Sequence, residues 1–368
     1  MEKIIEKYIE LIVKKGVNIQ ENQPVYINGS VEEHDFIVKL TKQLYENGAS
    51  EVYINWTSEE MGRLSYTYQT TEKLKNIDEW VVERYKSFIE RDAAFISLSS
   101  RNPEGLAGVD LEKINEHSKA LMLKMAPYQK KTMNDENTWC VVSTATQKWA
   151  EKVYPNDDNP KQKLWEAILY ATKSNLDNPI EEWEQHVQKL KKMSEKLNNE
   201  SFEYLHFTNK LGTDLKVGLV KKHIWASGES VNKTLNIVFN ANIPTEEVFT
   251  MPDKYNVNGK VVSTKALNYN GSLIKDFWIE FKNGKAIKWD AKENKEILTK
   301  LIETDENSSY LGEVALVEAD NPIAQLDILF YNTLFDENAS CHLALGKAYP
   351  TNIDEDLSKY SKEEKSDL

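Results

Sequence analysis

Two adjacent acids, Glu246 and Glu247, are the first candidates for chemistry in the second half of the chain, within PTEEVFT (244–250). One carboxylate can ligate a metal ion, and a carboxylate beside it can accept a proton. The other interpretation is a helix start, with Thr245 as the cap and both acids in the first turn. Taken alone, the pair is more typical of a solvated surface, because carboxylates readily occupy surfaces.

A single acid, Glu313, lies inside the apolar run LGEVALV (311–317). An ionised carboxylate in such surroundings is costly unless a cation or several hydrogen-bond donors compensate its charge. The alternative is an alternating strand on which Glu313 faces solvent, since half of a strand's positions face outward. This segment alone leaves the two interpretations evenly balanced.

The third segment, 330–350, is dense in side chains with acid, amide, hydroxyl, thiol or imidazole groups: Tyr331, Asp336, Glu337, Asn338, Cys341, His342 and Tyr349. His342 is set among small and apolar residues, with acids just upstream. A buried histidine is more often a core residue with satisfied hydrogen bonds than a ligand. A thiol nucleophile built from Cys341 and His342 is a poor pairing, because adjacent residues on a strand point to opposite faces.

The composition restricts what these residues can do. Lys plus Arg number 46 against 59 Asp plus Glu, which gives a formal net charge of −13. We therefore expect neither nucleic-acid binding, which needs concentrated positive charge, nor docking on an anionic membrane. With six His and two Cys in the chain, any metal site must depend mainly on carboxylates.

Three strings resemble the metal-binding blocks of the aminopeptidase T, aminopeptidase S and PepS family: PTEEVFTMP, TDENSSYLGEVALV and NTLFDENASCHLALGKAYP. They occur in the expected order and spacing, with 66 residues from Glu247 to Glu313, 29 from there to His342 and 7 more to Tyr349. The first half of the chain resembles the family more loosely. The resemblance implies a cytosolic metallo-exopeptidase that uses two divalent ions.

Four residues match the family's metal ligands by this resemblance: Glu247, Glu313, His342 and Tyr349. Glu246 is the candidate general base, because a carboxylate beside a ligating one can take a proton from water. Oxygen-rich sites with few imidazoles suit Zn, Co or Mn. In a two-metal hydrolase, the ions lower the pKa of a bound water and polarise the scissile carbonyl of the substrate.

The expected substrates are peptides with a free N-terminus, whose amino group a metal ion or nearby acids would hold. The resemblance also implies a homodimer. It further implies a His-x-Asp pair of ligands a few residues beyond Leu368, so we expect the C-terminus of this sequence to be incomplete. The alternative function is a non-catalytic α/β binding or assembly protein on a degenerate peptidase scaffold.

The elements of the first half alternate between helical and strand periods. Helical patterns cover 2–15, 32–46, 72–91 and 110–117, and short β-rich or apolar runs lie between and after them: 24–29, 51–56, 93–99, 120–126 and 139–145. This alternation predicts a mostly parallel sheet with helices on both faces. The absence of a GxGxxG motif disfavours a dinucleotide site.

Beyond residue 200 the pattern changes to short β-type runs bounded by turn residues. Asn283-Gly284 between two alternating runs predicts a hairpin. We therefore predict an α/β N-terminal domain with a helical linker over 1–198. A metal-binding catalytic domain over 199–368 follows, of α+β class and dominated by antiparallel strands.

The cysteines and the N-terminus indicate the cellular compartment in which we expect the protein. Cys140 and Cys341 lie 201 positions apart in a chain long enough to fold without a disulfide. The charged N-terminus MEKIIEKYIELIVKKG has neither the form of a signal peptide nor that of an anchor. We expect a cytoplasmic protein.

Overall fold

The computed structural model describes residues 1–269, 271–361 and 364–365 of the chain. Its α-helices have the following bounds: α1 Glu2–Leu11, α2 His34–Glu46, α3 Glu59–Tyr68, α4 Thr71–Lys75, α5 Glu79–Glu90, α6 Leu111–Met133, α7 Gln147–Val153, α8 Pro160–Ala171, α9 Pro179–Glu200, α10 Lys295–Ile302, α11 Pro322–Leu326 and α12 Thr333–Asp336. Its strands have the following bounds: β1 Pro24–Ser30, β2 Glu51–Thr57, β3 Ala94–Leu98, β4 Trp139–Val142, β5 Tyr204–Thr208, β6 Asp214–Leu219, β7 Ser230–Asn232, β8 Ile237–Phe239, β9 Glu247–Thr250, β10 Pro252–Val262, β11 Leu267–Tyr269, β12 Ser272–Ile274, β13 Trp278–Lys282, β14 Lys285–Asp290, β15 Leu311–Val317 and β16 His342–Leu345.

The chain divides into two compact units. The first comprises Met1–Gln185 and Glu229–Pro244, and the second comprises His186–Gly228 and Thr245–Leu368. The chain therefore passes between the units three times, first inside α9 and then at both ends of the segment 229–244.

A parallel four-stranded sheet, in the order β2-β1-β3-β4, organises the first unit. Tyr26 of β1 pairs with Tyr53 on one side and with Phe95 on the other. Val25 and Ile27 are fully buried, as expected for a strand covered by helices on both faces. The predicted parallel α/β architecture is confirmed.

Two local predictions in this unit were wrong. The apolar run 120–126 is not a strand but lies inside α6, whose start is capped by the Asp110 side chain. Leu, Met, Ala and Lys are strong helix formers, and Met122 and Leu123 are exposed, which a strand buried in a parallel sheet would not allow. The helix predicted over 72–91 is interrupted, since α4 ends at Lys75 and α5 begins at Glu79.

Antiparallel sheets organise the second unit, as predicted. A five-stranded sheet has the order β14-β13-β10-β6-β5, and a three-stranded sheet has the order β16-β15-β9. The β13–β14 hairpin turns at Asn283-Gly284, both with positive φ. A Cβ at Gly284 would lie 1.6 Å from the carbonyl oxygen of Lys254, so this turn requires glycine.

Within the described ranges, no helix is both long enough and apolar enough to cross a membrane.

Candidate metal centre

The three-stranded sheet brings Glu247, Glu313 and His342 onto one face. Glu247 opens β9 opposite Val317, and His342 opens β16 opposite Ala315. Residues 313, 315 and 317 are every second residue of the central strand β15, so their side chains point to the same face of the sheet. Residues that pair directly across neighbouring strands also share a face. The register therefore places His342 between the two acids. The helix start considered for Thr245 is wrong, since a strand begins at Glu247.

The side chains of these three residues converge. One ligand atom from each can be chosen so that all three lie within 4.8 Å of one another. The Nε2 atom of His342 lies 2.9 Å from Oε2 of Glu247 and 3.6 Å from Oε1 of Glu313. All three side chains are mostly buried, with exposed fractions of 16% for His342, 9% for Glu247 and 18% for Glu313.

The ring orientation of His342 suits it to be a ligand. Its Nδ1 atom lies 3.2 Å from the carbonyl oxygen of Ser340. Because a carbonyl oxygen only accepts, this contact keeps a proton on Nδ1, so Nε2 is the nitrogen whose lone pair a metal ion could take in place of a proton. Metal-bound histidines commonly have this arrangement, in which the second nitrogen donates to a carbonyl or carboxylate.

Two buried atoms in the cluster have no hydrogen-bond partner within the described part of the chain: Oε2 of Glu247 and Nε2 of His342. Although these atoms are close to each other, they do not form a well-directed hydrogen bond. Burying unpaired polar atoms of this kind is costly. Since a divalent cation would satisfy both, the carboxylate and imidazole donors present fit a metal ion.

The electrostatics of the cluster favour a cation. Burial lowers the pKa of His342, but the carboxylates of Glu247 and Glu313 outweigh burial and raise it to about 11. Burial and the charges of Glu247 and Glu313 raise the pKa of Glu337 to about 8, despite the opposing effect of His342. Both shifts have the direction expected where negative charge exceeds positive charge.

Glu337 is a carboxylate beside the cluster to which the sequence analysis gave no role. It lies five residues before His342, in a 3-10 turn that directly follows α12. The Asp336 carboxylate accepts the backbone N–H groups of Phe330 at 2.7 Å and Asn332 at 2.9 Å, which closes the loop before this turn. The sequence signal that could have identified Glu337 is its position in the acid-rich segment around His342.

Glu246, the predicted base, directly precedes Glu247 in the chain and is buried, with 6% of its surface exposed. Its backbone N–H donates to Oδ1 of Asn338 at 2.7 Å, and its Oε2 lies 3.7 Å from Nε2 of His186. Tyr349, the fourth predicted ligand, follows β16 and packs its ring against Phe249 of β9, with the ring centroids 5.8 Å apart.

Cys341 does not share the environment of its neighbour His342. Its Sγ accepts the N–H of Val317 at 3.4 Å and lies 3.6 Å from the carbonyl oxygen of that residue. The thiol thus lies against the backbone of β15. The structure offers no support for pairing it with the imidazole as a nucleophile.

The chain is similar to known metalloproteases and aminopeptidases along nearly its whole length. The thermophilic metalloprotease family (M29) matches residues 1–368. Aminopeptidase AmpS of Bacillus subtilis is 43% identical over 352 residues, which cover 95% of this chain and 85% of that protein. Aminopeptidase 2 of Geobacillus stearothermophilus is 40% identical over 365 residues, which cover 99% of this chain and 88% of that protein. The structure of wild-type AmpT from Thermus thermophilus superimposes with a TM-score of 0.90 at 35% identity, covering 96% of this chain and 87% of that one.

Proposed function

The chain belongs to the thermophilic metalloprotease family (M29) and is an aminopeptidase, and we propose that it works with two divalent metal ions. The observation that carries the proposal is the convergence of Glu247, Glu313 and His342, in which two buried ligand atoms have no well-directed hydrogen bond within the described part of the chain. All the proposed ligands lie within 199–368, which we retain as the catalytic domain.

Glu247, Glu313 and His342 are the proposed core of the ligand set, and Tyr349 is the fourth proposed ligand within the given sequence. Glu337 is proposed as a further oxygen donor, because its charge interacts with those of the core residues. Carboxylate, phenol and imidazole donors suit Zn, Co or Mn. Two such ions would lower the pKa of water and polarise the scissile carbonyl.

Glu246 is the proposed general base. It directly precedes a ligand, is buried, and has its backbone fixed by Asn338. Its carboxylate takes a proton from the attacking water and then passes that proton to the leaving amino group, so that the peptide bond breaks without a free hydroxide. Such proton transfer typically contributes about 10²- to 10⁴-fold to the rate.

The proposed substrates are peptides with a free N-terminus. The candidate centre contains Glu247, Glu313 and Glu337 against the single imidazole of His342. Two bound ions would neutralise this charge, so the free terminal amino group would be held by an ion with an open coordination position or by a nearby acid that does not ligate one. A blocked terminus cannot be held in this way, which directs attack to the first peptide bond.

A cytoplasmic location and a homodimer remain proposals from the sequence. The two cysteines are free, which supports a reducing compartment. A homodimer would have a mass of about twice 42.5 kDa in sedimentation equilibrium. A monomer mass at working concentrations would contradict the dimer proposal.

The alternative of a non-catalytic protein on a degenerate scaffold is less well supported. A degenerate scaffold has no need to retain three converging ligands on one sheet face, whereas a metallo-aminopeptidase does. Family membership also favours the enzyme.

Hydrolysis of amino-acyl chromogenic amides by the full-length protein tests the proposal. We expect cleavage of the free-amine substrates, loss of cleavage on chelation, and recovery with Zn, Co or Mn. The matched control is the same set of amides with an acetylated amino group, which should stay uncut. Cleavage of acetylated and free substrates at equal rates would contradict the aminopeptidase mechanism.

A further inference from the structure

His186 of α9 lies beside the proposed base, in a position that neither the sequence nor the metal cluster explains. Only 9% of the residue is exposed. Its Nε2 atom lies 2.7 Å from the carbonyl oxygen of Thr245, the residue before Glu246. Since a carbonyl oxygen only accepts, Nε2 carries the proton and donates it to Thr245.

The same nitrogen faces the Glu246 side chain. The distance from His186 Nε2 to Glu246 Oε2 is 3.7 Å, and the exposed fractions of the two side chains are 7% and 6%. One N–H group therefore holds the main chain directly before Glu246 and also faces its carboxylate. A histidine with a purely structural role would need only its hydrogen bond to the main chain at Thr245.

The main chain at this point is confined from two further directions. The N–H of Glu246 donates to Oδ1 of Asn338, whose own Nδ2 donates to the carbonyl oxygen of Leu334 at 3.0 Å. A Cβ placed on Gly228 would lie 2.8 Å from Cγ2 of Thr245, so Gly228 packs closely on that side chain. The imidazole of His186 adds a third contact, the hydrogen bond to the carbonyl oxygen of Thr245.

We propose that His186 is a positioning residue that fixes the Glu246 carboxylate for proton transfer. The inference rests on the proposed function, because it requires Glu246 to be the base. A glutamate side chain has several rotatable bonds, and its reach into the site depends on where residues 245 and 246 lie. A misplacement of about 1 Å in a reacting group can cost about 10²-fold in rate.

Two substitutions distinguish a positioning role of His186 from a role in packing alone. His186→Leu removes the N–H donor, and we expect kcat to fall about 10- to 100-fold, with KM and bound metal unchanged within about twofold. Amide hydrogen exchange over residues 244–247 should become faster. His186→Gln restores an N–H donor and should recover at least about half of the wild-type kcat, with wild-type exchange.

Asn198→Leu is the matched control on the same helix. Asn198 accepts the N–H of Trp225 at 2.8 Å and donates to its carbonyl oxygen at 3.1 Å, so its loss also frees a buried backbone segment. Asn198→Leu should lower the Tm about as much as His186→Leu while leaving kcat within about twofold of wild type. If His186→Leu does not fold, His186→Asn replaces it, since its shorter amide does not reach Thr245.

Three results would overturn the inference: full kcat in His186→Leu, a Gln variant no better than the Leu variant, or loss of bound metal in the Leu variant. Glu246→Gln is measured in parallel. If Glu246→Gln is fully active, the assignment of the base is wrong and the inference falls with it. If Glu246→Gln is inactive while His186→Leu is fully active, only the role of His186 is wrong.

Discussion

His342 lies between two carboxylates with its Nδ1–H donated to Ser340, and this single ring orientation determines what the cluster can bind. A lone pair on Nε2 and several carboxylate oxygens are a donor set for a divalent cation. Without a cation the ring can only be stabilised as an imidazolium, which agrees with its raised pKa. The fit of this cluster to a metal ion thus depends on the orientation of His342 together with the two carboxylates beside it.

The first residue-scale prediction concerns the ligands. His342→Ala and Glu313→Gln should each lower metal affinity at least about 10-fold and abolish chelator-sensitive activity, because each removes a donor. Metal content after dialysis, measured by mass spectrometry, checks this. Glu280→Gln is a suitable control, because Glu280 lies in β13 of the five-stranded sheet rather than in the sheet of the site. Wild-type metal content in both ligand variants would refute the assignment.

Some of the site residues could be predicted from the sequence, and others could not, for physical reasons. Glu313 was visible because an acid inside an apolar strand needs compensation, and His342 because small residues and acids surround it. Glu337 was not identified, because its approach to the cluster depends on the loop that Asp336 closes. His186 lies 60 residues before Glu246 in the chain, and no local sequence pattern connects these two residues.

At the scale of elements, the pairing of β15 with β16 decides whether the ligands meet. The register shifts between Leu311 and Glu313, at Gly312. A Cβ on Gly312 would lie 2.5 Å from the carbonyl oxygen of Gly346 and 2.6 Å from backbone atoms of Lys347. Backbone cannot move aside as a flexible side chain can, so this bulge requires glycine for close approach.

Gly312→Ala should therefore separate β15 from the segment that leads to Tyr349. We expect a loss of about 1–3 kcal/mol in the free energy of unfolding, together with weaker metal binding. Gly62→Ala is the matched control, because a Cβ there would meet nothing within 4 Å. It should be neutral or slightly stabilising. Chemical denaturation of both variants checks this, and equal stability of the two would contradict the role of Gly312.

A second element-scale prediction concerns the turn between α6 and β4. Burial raises the pKa of Asp135 from 3.8 to about 6, against the opposing effects of Lys233 and Ser230. A raised native pKa means that the stabilising contribution of this group is fully present below about pH 4 and is lost as the pH rises through about 6. Asp135→Asn removes this titration, and asparagine tolerates the positive φ found there.

The difference in unfolding free energy between Asp135→Asn and wild type should therefore shift in favour of the variant between pH 4 and pH 7. We expect a shift of about 1–2 kcal/mol, reduced from the full linkage value because the side chain is partly exposed. Denaturation at the two pH values measures it. A difference that stays constant with pH, or that shifts towards the wild type, would contradict the raised pKa.

Some elements of the first unit could be predicted from the sequence and others could not. The helices α1 and α2 and the strand β1 follow clear patterns, whereas the helix predicted over 72–91 is interrupted. The run 120–126 was misassigned, because a short apolar run cannot be assigned to strand or helix by periodicity alone. The helix formers Ala, Leu, Met and Lys that fill 120–126 were the signal that the helix could continue through this run.

At the scale of the whole molecule, composition and fold act together. An acidic chain with few His and Cys must build a metal centre mainly from carboxylates, and the antiparallel second unit places such groups on one sheet face. The parallel first unit contributes no residue to the ligand cluster among the described residues. The fold class followed from the change in sequence pattern near residue 200, whereas the convergence of the ligands required the strand register.

The most direct test of the account is a metal titration of the full-length protein, with bound ions and activity measured in the same samples. The protein is first stripped of metal with a chelator, and Zn, Co or Mn is then added stepwise while hydrolysis of an amino-acyl amide is followed. We predict no activity without metal and maximal activity at about two bound ions per chain. Full activity in the metal-free protein, or a maximum reached at one ion per chain, would contradict the two-metal mechanism.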